Sequence, residues 1–400
     1  MNNKNIIQQE ALDTWASNLY TGTVILSTGA GKTRVGILAI EELIEKMSIK
    51  SCLIVVPTIN LRDNEWESEI EKWAPNVRSI VEIECINTSY KWEEKFYDLI
   101  IVDEIHRTLS PEFRKFYYNN RYTYILGLTA TSPEEKEYKD LLDILCPIVY
   151  SITTKEAVKL KLITDYNLFN IPVTFTSAER VKYRTYTSMY LEAVHAISGG
   201  GERVFEVANI AKDDPYHKYH AVAKKFWFGM SARRWVCYKA HNKIQKSLEI
   251  IEAFPDKKWI IFSQHTDFVD ELQQHLLSRG IMAISYHSKM KKVIRQAALE
   301  TAASPLCRVI CSAMALNTGY NLPAIDAAIC VASNSTQLTE IQQRGRISRI
   351  DSDNPNKKAL FINLYVVDTQ ESKWVEAKNK GLKGKDIHNV TELKKLLNVR

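Results

Sequence analysis

The stretch "VILSTGAGKT", Val24–Thr33, reads as a short apolar strand that runs into a glycine-rich loop closed by Lys-Thr, and the rest of the chain is organised around it. Val24, Ile25 and Leu26 have the continuous apolar character of a strand covered on both faces. Gly29 and Gly31 then let the backbone turn tightly and aim N–H groups at one point, where a phosphate fits. In the loop Thr28, Gly29, Ala30, Gly31, Lys32, Thr33, the Lys32 ammonium would stand near the outer phosphates and the Thr33 hydroxyl on Mg²⁺. A helix opening at about Arg34 adds the positive end of its dipole. Leu26 stands where the pattern G-x-x-x-x-G-K-[ST] has its first glycine, so the form here is T-G-x-G-K-T.

Outward from this loop, residues up to about 150 alternate strands and helices. Thr23–Ser27, 52–57, 99–103 and 124–128 are apolar runs of strand length, and "RVGILAIEELIEKM" has helical spacing. This is a doubly wound α/β layout, in which ligands bind at the carboxyl ends of the strands. "LIIVDEIH" places Asp103 and Glu104 at such an end. Asp103 is suited to hold Mg²⁺, and Glu104 to orient and polarise an attacking water. "LGLTATSP" adds the hydroxyls of Thr129 and Thr131 at the same edge. From about Lys155 to Phe254 the pattern becomes mainly helical, and the strand-helix alternation returns at "KWIIFS", "IMAISY", "RVICSA", "DAAICVAS" and "ALFINLYVVD". The expected division is 1–154, a helical insert 155–254, a second α/β domain 255–370, and a basic tail 371–400.

Composition narrows the class. Four hundred residues, 45% hydrophobic and 25% charged, suggest a globular chain of two or three domains. No apolar run has the length of a membrane span, and "MNNKNIIQQE" lacks the apolar core of a signal peptide, so a cytoplasmic protein without a membrane partner is expected. The seven cysteines are scattered, with no C-x-x-C pair, and read as reduced core residues. Five of the six surplus positive charges lie between Lys373 and Arg400. A solvated helix face and a phosphate-contacting tail both fit that bias.

In order, "STGAGKT", "VVPT", "VDEIH", "TAT", "IIFSQ", "ALNTGYNLP" and "QQRGRISR" resemble motifs I, Ia, II, III, IV, V and VI of the superfamily 2 helicases and translocases, the D-E-x-H class. The resemblance implies two RecA-like doubly wound parallel-sheet domains using ATP and Mg²⁺. It places Gln8 as the residue that reads adenine, with Asn5 where a basic residue usually stands. Gly319 and Asn321 would border the nucleotide, and His106 would link the ATP site to Gln342. Arg346 and Arg349 match the arginine fingers, carried on the second domain so that ATP closes the cleft and hydrolysis opens it. Phosphate-tracking contacts are expected from Pro57, Thr58, Thr88, Ser263, Gln264, Asn317 and Thr318.

Gln343, where motif VI often has arginine, makes the chain more similar to the branch-migrating DNA helicases than to the RNA helicases. The expected function is therefore an ATP-dependent DNA helicase or translocase, a monomer acting on single-stranded, forked or branched DNA in phage-type repair or recombination, in the host cytoplasm. RNA helicase, duplex translocase and non-motor ATPase switch remain the alternatives. "KKFWFGMSARRWVCYKAHNK", Lys224–Lys243, combines six Lys/Arg, five aromatics and no acid. It suits either base stacking or a packed helix with snorkelling lysines.

Overall fold

The structure, a computed structural model, describes residues 3–133, 135–198, 203–313, 325–332, 358–379 and 384–398. They form two compact units, the first from residues 3–166 and the second from residues 167–313, 325–332 and 360–398.

The first unit holds a six-stranded parallel sheet. Its strands are β1 (Thr21–Leu26), β2 (Cys52–Val56), β3 (Val81–Cys85), β4 (Phe96–Asp103), β5 (Arg121–Thr129) and β6 (Ile148–Ile152), in the order β3-β2-β4-β5-β1-β6. The runs read as strands are the four central ones, and both faces of the sheet are apolar because successive side chains alternate. Ile54, Val56, Leu99, Ile101, Leu126 and Leu128 pack on one side with Val24 and Leu26. Leu53, Val55, Ile100, Val102 and Ile125 pack on the other. Because every strand runs the same way, every carboxyl end opens on one edge.

The second unit holds a seven-stranded sheet. Its strands are β7 (Tyr166–Val173), β8 (Trp259–Ser263), β9 (Ala283–His287), β10 (Val309–Ala313), β11 (Ala327–Cys330), β12 (Ala359–Val366) and β13 (Lys385–Asp386), in the order β13-β7-β12-β11-β8-β10-β9. The stretch read as a helical insert is shared out. Helix Thr154–Lys159 buries Ala157 in the first core, β7 joins the second sheet, and helix His241–Ala253 packs Ile244, Leu248 and Ile251 on that sheet. Helices Ser177–Ser198, Arg203–Ala211 and His220–Tyr238 form a cluster around Phe226, Ala208 and Ile197. The basic C-terminal segment is built into the second unit: Ile387, Val390 and Leu393 are core residues, and Lys385–Asp386 pairs with β7. All seven cysteines are buried. Among the described residues no helix is long and apolar enough to cross a membrane.

Candidate functional site

The Lys-Thr loop lies at the carboxyl edge of the first sheet. Its two glycines adopt positive φ, 89° at Gly29 and 99° at Gly31, and Gly31 leads directly into helix Lys32–Met47. The backbone angle requires glycine here, and a Cβ on Gly31, 2.1 Å from Gln8 Nε2, would also push the Gln8 amide out of its place. Gln8 is buried on helix Asn3–Ser17 and donates from Nε2 to the Ala30 carbonyl at 3.2 Å. One turn earlier Lys4 donates to the Gly29 carbonyl at 2.9 Å. The first helix thus braces the loop through two side chains. Lys4 was not singled out from sequence, although its i, i+4 spacing to Gln8 puts both on one face.

The order β4-β5-β1 brings three strand ends together. In a regular strand Asp103 and Glu104 would point to opposite faces. Glu104 instead takes a left-handed conformation, φ 51° and ψ 49°, which costs a non-glycine residue about 1–2 kcal/mol and turns the chain as β4 ends. Lys32 Nζ lies 2.8 Å from Glu104 Oε1, with 12% and 11% of the two side chains exposed. Thr129, fully buried at the end of β5, places its hydroxyl 2.7 Å from His106 Nδ1 and 3.4 Å from Glu104 Oε2. It also accepts from Thr131 N at 3.2 Å and lies 2.9 Å from the Thr131 carbonyl. Lys32, Asp103, Glu104, His106, Thr129 and Thr131 therefore share one constellation.

Asp103 is held from two directions. Its Oδ1 accepts from Glu104 N at 3.0 Å, and its Oδ2 from Trp66 Nε1 at 3.1 Å. Trp66 closes a widened, π-helical turn, Leu61–Trp66, that follows β2. No periodicity in the sequence signals that contact. Burial pushes the Asp103 carboxyl up to about 6, with the neighbouring Glu104 charge adding and Lys32 opposing. Glu104 is also buried, but Lys32 and its other cationic neighbours outweigh burial and hold it below the usual carboxylate range. Burial lowers His106 to about 4, so its ring is neutral at pH 7. Among the described residues, Thr28 Oγ1 and His106 Nε2, beside the loop and the acid pair, are buried without a partner.

Other expected residues lie nearby or elsewhere. Pro57 and Thr58 follow β2, where Thr58 Oγ1 accepts from Leu61 N at 3.4 Å, and Thr88 is exposed on the short turn after β3. They share the edge with Lys32, on the other side of β4. In the second unit Ser263 is buried and accepts from His265 N at 3.1 Å, with half-buried Gln264 beside it. Asn317, Thr318, Gly319, Asn321, Gln342, Arg346 and Arg349 lie outside the described residues.

Residues 4–92 and 82–134 match the family model for the type III restriction enzyme, res subunit, and residues 242–351 match the helicase conserved C-terminal domain. The chain is 26% identical over 385 residues to a DNA 3'-5' translocase XPB2 of Sulfurisphaera tokodaii, covering 91% of this chain and 82% of that one. It is 24% identical over 383 residues to a DNA 3'-5' helicase XPB of Mycobacterium tuberculosis, covering 90% of this chain but 60% of that one. In fold it matches Saccharomyces cerevisiae Dbp5 bound to RNA and ADP BeF3, with a TM-score of 0.63 at 13% identity, over 98% of this chain and 92% of that one. The Pyrococcus furiosus Hef helicase domain matches with a TM-score of 0.56 at 14% identity, over 94% and 98%. With two parallel-sheet units, a braced Lys-Thr loop facing an Asp-Glu pair, and the restriction-enzyme res-subunit and helicase C-terminal models matched in order, the chain belongs to the superfamily 2 helicases.

Proposed function

We propose that this chain is an ATP-driven DNA translocase or helicase, with the nucleotide held by the Lys-Thr loop of the first unit. The observation that carries this reading is the Lys32–Glu104 pair at 2.8 Å, set at a strand edge with Thr129 and His106 behind it. In the absence of phosphate the two charges neutralise one another. An entering triphosphate offers Lys32 more negative charge than Glu104 does, so the ammonium turns to the phosphates and Glu104 is released. Burial then acts on Glu104 with less opposition and its basicity rises. That change makes it fit to orient a water and accept its proton.

The residues present also fit Mg²⁺. Asp103 is a buried carboxylate at the loop, Thr33 sits at the start of the helix, and the buried Thr28 hydroxyl has no partner. Bound there by Thr33 and Asp103, Mg²⁺ would neutralise phosphate charge.

DNA as the track is supported by the names of the two XPB relatives, one a translocase and one a helicase. We extend the reading to a monomer working on forked or branched DNA in the cytoplasm, with Pro57, Thr58 and Thr88 facing phosphates beside the ATP site. ATP hydrolysis by wild type and Arg346→Ala, measured at matched salt with forked, duplex and single-stranded DNA and with single-stranded RNA, tests this. Strong stimulation by DNA, mostly lost in the variant, is expected. Equal hydrolysis with and without nucleic acid would overturn it, and stimulation by RNA alone would change the track.

A further inference from the structure

The basic-aromatic stretch Lys224–Lys243 divides in the structure. Phe226 is fully buried, and Trp227 spends its indole N–H on the Ala208 carbonyl at 3.1 Å, so both are packing residues. Phe228 and Trp235, two helical turns apart on helix His220–Tyr238, are instead 55% and 52% exposed. Between them and helix Ser177–Ser198 runs an open groove of about 700 Å³, whose lining includes Glu179, Lys182, Tyr186, Phe228, Trp235 and Lys239.

Its walls are fixed. A Cβ on Gly229 would lie 2.9 Å from Tyr190 N and 3.1 Å from the Tyr186 carbonyl, so the two helix backbones meet there. Tyr186 stands edge-on to Phe228 with ring centroids 5.8 Å apart. Trp235 stands edge-on to His265 at 4.0 Å, and His265 directly follows Gln264 in the loop after β8. The surroundings are cationic. Helix His220–Tyr238 carries Lys224, Lys225, Arg233 and Arg234 without an acid, and the facing helix adds Arg180, Lys182 and Arg184. Of the acids in reach, Glu192 is paired with Lys225 and Asp267 with Lys239, while Glu179, in the groove wall, accepts from Thr176 and from the His241 backbone N–H; Arg180, Lys182, Arg184 and Lys224 outnumber it.

We infer that this groove is a second nucleic-acid site, in which the bases of a single strand stack on Phe228 and Trp235 while flanking lysines and arginines hold its phosphates. The inference rests on the DNA-motor reading and deepens it. Exposed flat rings framed by cations are the chemistry that binds single strands irrespective of sequence. The neighbouring Gln264–Thr266 loop makes the site continuous with the edge at which phosphate contacts are expected. Duplex DNA, whose bases are already stacked on one another, offers the rings nothing.

The test is binding of fluorescein-labelled oligo(dT) to the full chain, with a blunt duplex as comparison and tryptophan emission followed in parallel. Phe228→Ala and Trp235→Ala should each weaken oligo(dT) binding about tenfold, and duplex binding much less. Trp235→Phe should recover most of the affinity while losing the quenching contributed by that indole. Lys182→Glu, a surface change that spares the rings, should weaken oligo(dT) binding and flatten its salt dependence. Wild-type binding that is matched by the ring variants, with quenching intact, would overturn the groove and leave the motor reading standing. Failure of the wild type to bind any nucleic acid would overturn the motor reading itself. Self-association lost in the ring variants, with oligo(dT) binding unchanged, would assign the groove to a second copy of this chain and overturn the proposal.

Discussion

Among the described residues each unit contains one largely buried Lys–Glu pair, and the two pairs are built for opposite purposes. In the second unit Lys243 and Glu371 are wholly buried, and the ammonium reaches both carboxylate oxygens, at 2.9 and 2.8 Å, and the Val331 carbonyl at 2.6 Å. Glu371 further accepts from Val366 N at 2.8 Å. All three ammonium protons have an acceptor and the carboxylate accepts three bonds, and the pair joins helix His241–Ala253, the end of β11 and helix Gln370–Asn379 into one core. In the first unit Lys32 touches Glu104 through one oxygen, water reaches both, Glu104 sits in a left-handed backbone, and Thr28 Oγ1 and His106 Nε2 nearby have no partner. Saturation marks a scaffold. Unspent hydrogen-bonding capacity around an exchangeable ion pair marks a site.

The comparison breaks most readily through Lys32 and Glu104. Lys32→Ala and Glu104→Gln should each reduce steady-state ATP hydrolysis by about 10²–10⁴-fold. The glutamine variant should still bind nucleotide, because the phosphate cradle is untouched. Neither should unfold the protein, since water already reaches both side chains. Near-normal turnover in either variant, measured by phosphate release, would remove the site from this edge.

Lys243 should behave the other way. Lys243→Met leaves the Glu371 carboxylate buried without its cation and should cost about 3–5 kcal/mol in urea unfolding of the second unit. The double change Lys243→Met with Glu371→Leu removes the stranded charge and should recover much of that loss. A single variant as stable as wild type would show that the pair is not the clamp its geometry suggests.

This contrast also shows what could be read in advance. The loop, the central strands and the acid pair were legible because each is local: an apolar run, two glycines, two adjacent carboxylates. Strands β3 and β6 were not read, because both lie at sheet edges, where "VEIEC" alternates polar and apolar residues and "IVYSI" is a short run broken by Ser151 and largely uncovered. Strand β7, "YNLFNIPV", was absorbed into an apparently helical stretch, its Pro172 masking the strand pattern. Lys243 looked like one more lysine of a basic helix, since its partner lies 128 residues further along. The Trp66 contact to Asp103 needs a π-helical turn that no spacing announces. The terminal lysines suggested a tail, whereas the apolar Ile387, Val390 and Leu393 among them decide its place.

The pair in the first unit can be sharpened through its neutral neighbour. His106 takes a proton near pH 6.5 in the unfolded chain but only at about 4 in the folded one. Its contribution to stability is therefore full above pH 6.5 and is lost as pH falls from 6.5 to 4, a change on the order of 3 kcal/mol. His106→Gln removes the titrating group, so the slope of stability against pH across that window should become shallower. Titration of His106 near 6.5, followed by NMR of its ring protons in the folded protein, would contradict the burial that sets this shift.

The smallest effect expected is the most specific. Thr129 Oγ1 has one proton and two lone pairs. Thr131 N donates to one lone pair, and the hydroxyl proton belongs on the Thr131 carbonyl at 2.9 Å, in preference to Glu104 at 3.4 Å. The remaining lone pair then accepts from His106 Nδ1 at 2.7 Å. This network assigns the neutral ring its proton on Nδ1 and leaves Nε2 as a buried acceptor. Thr129→Val keeps the shape but removes that acceptor, leaving the Nδ1–H only the longer approach to Glu104 Oε2 at 3.5 Å, at a cost of about 1–3 kcal/mol. The ring should then lose its single tautomer, visible in its ¹⁵N shifts, and turnover should fall about tenfold while nucleotide affinity stays the same. Unchanged ¹⁵N shifts in Thr129→Val would mean that something other than Thr129 fixes the histidine, and that the hydroxyl only fills space behind Glu104.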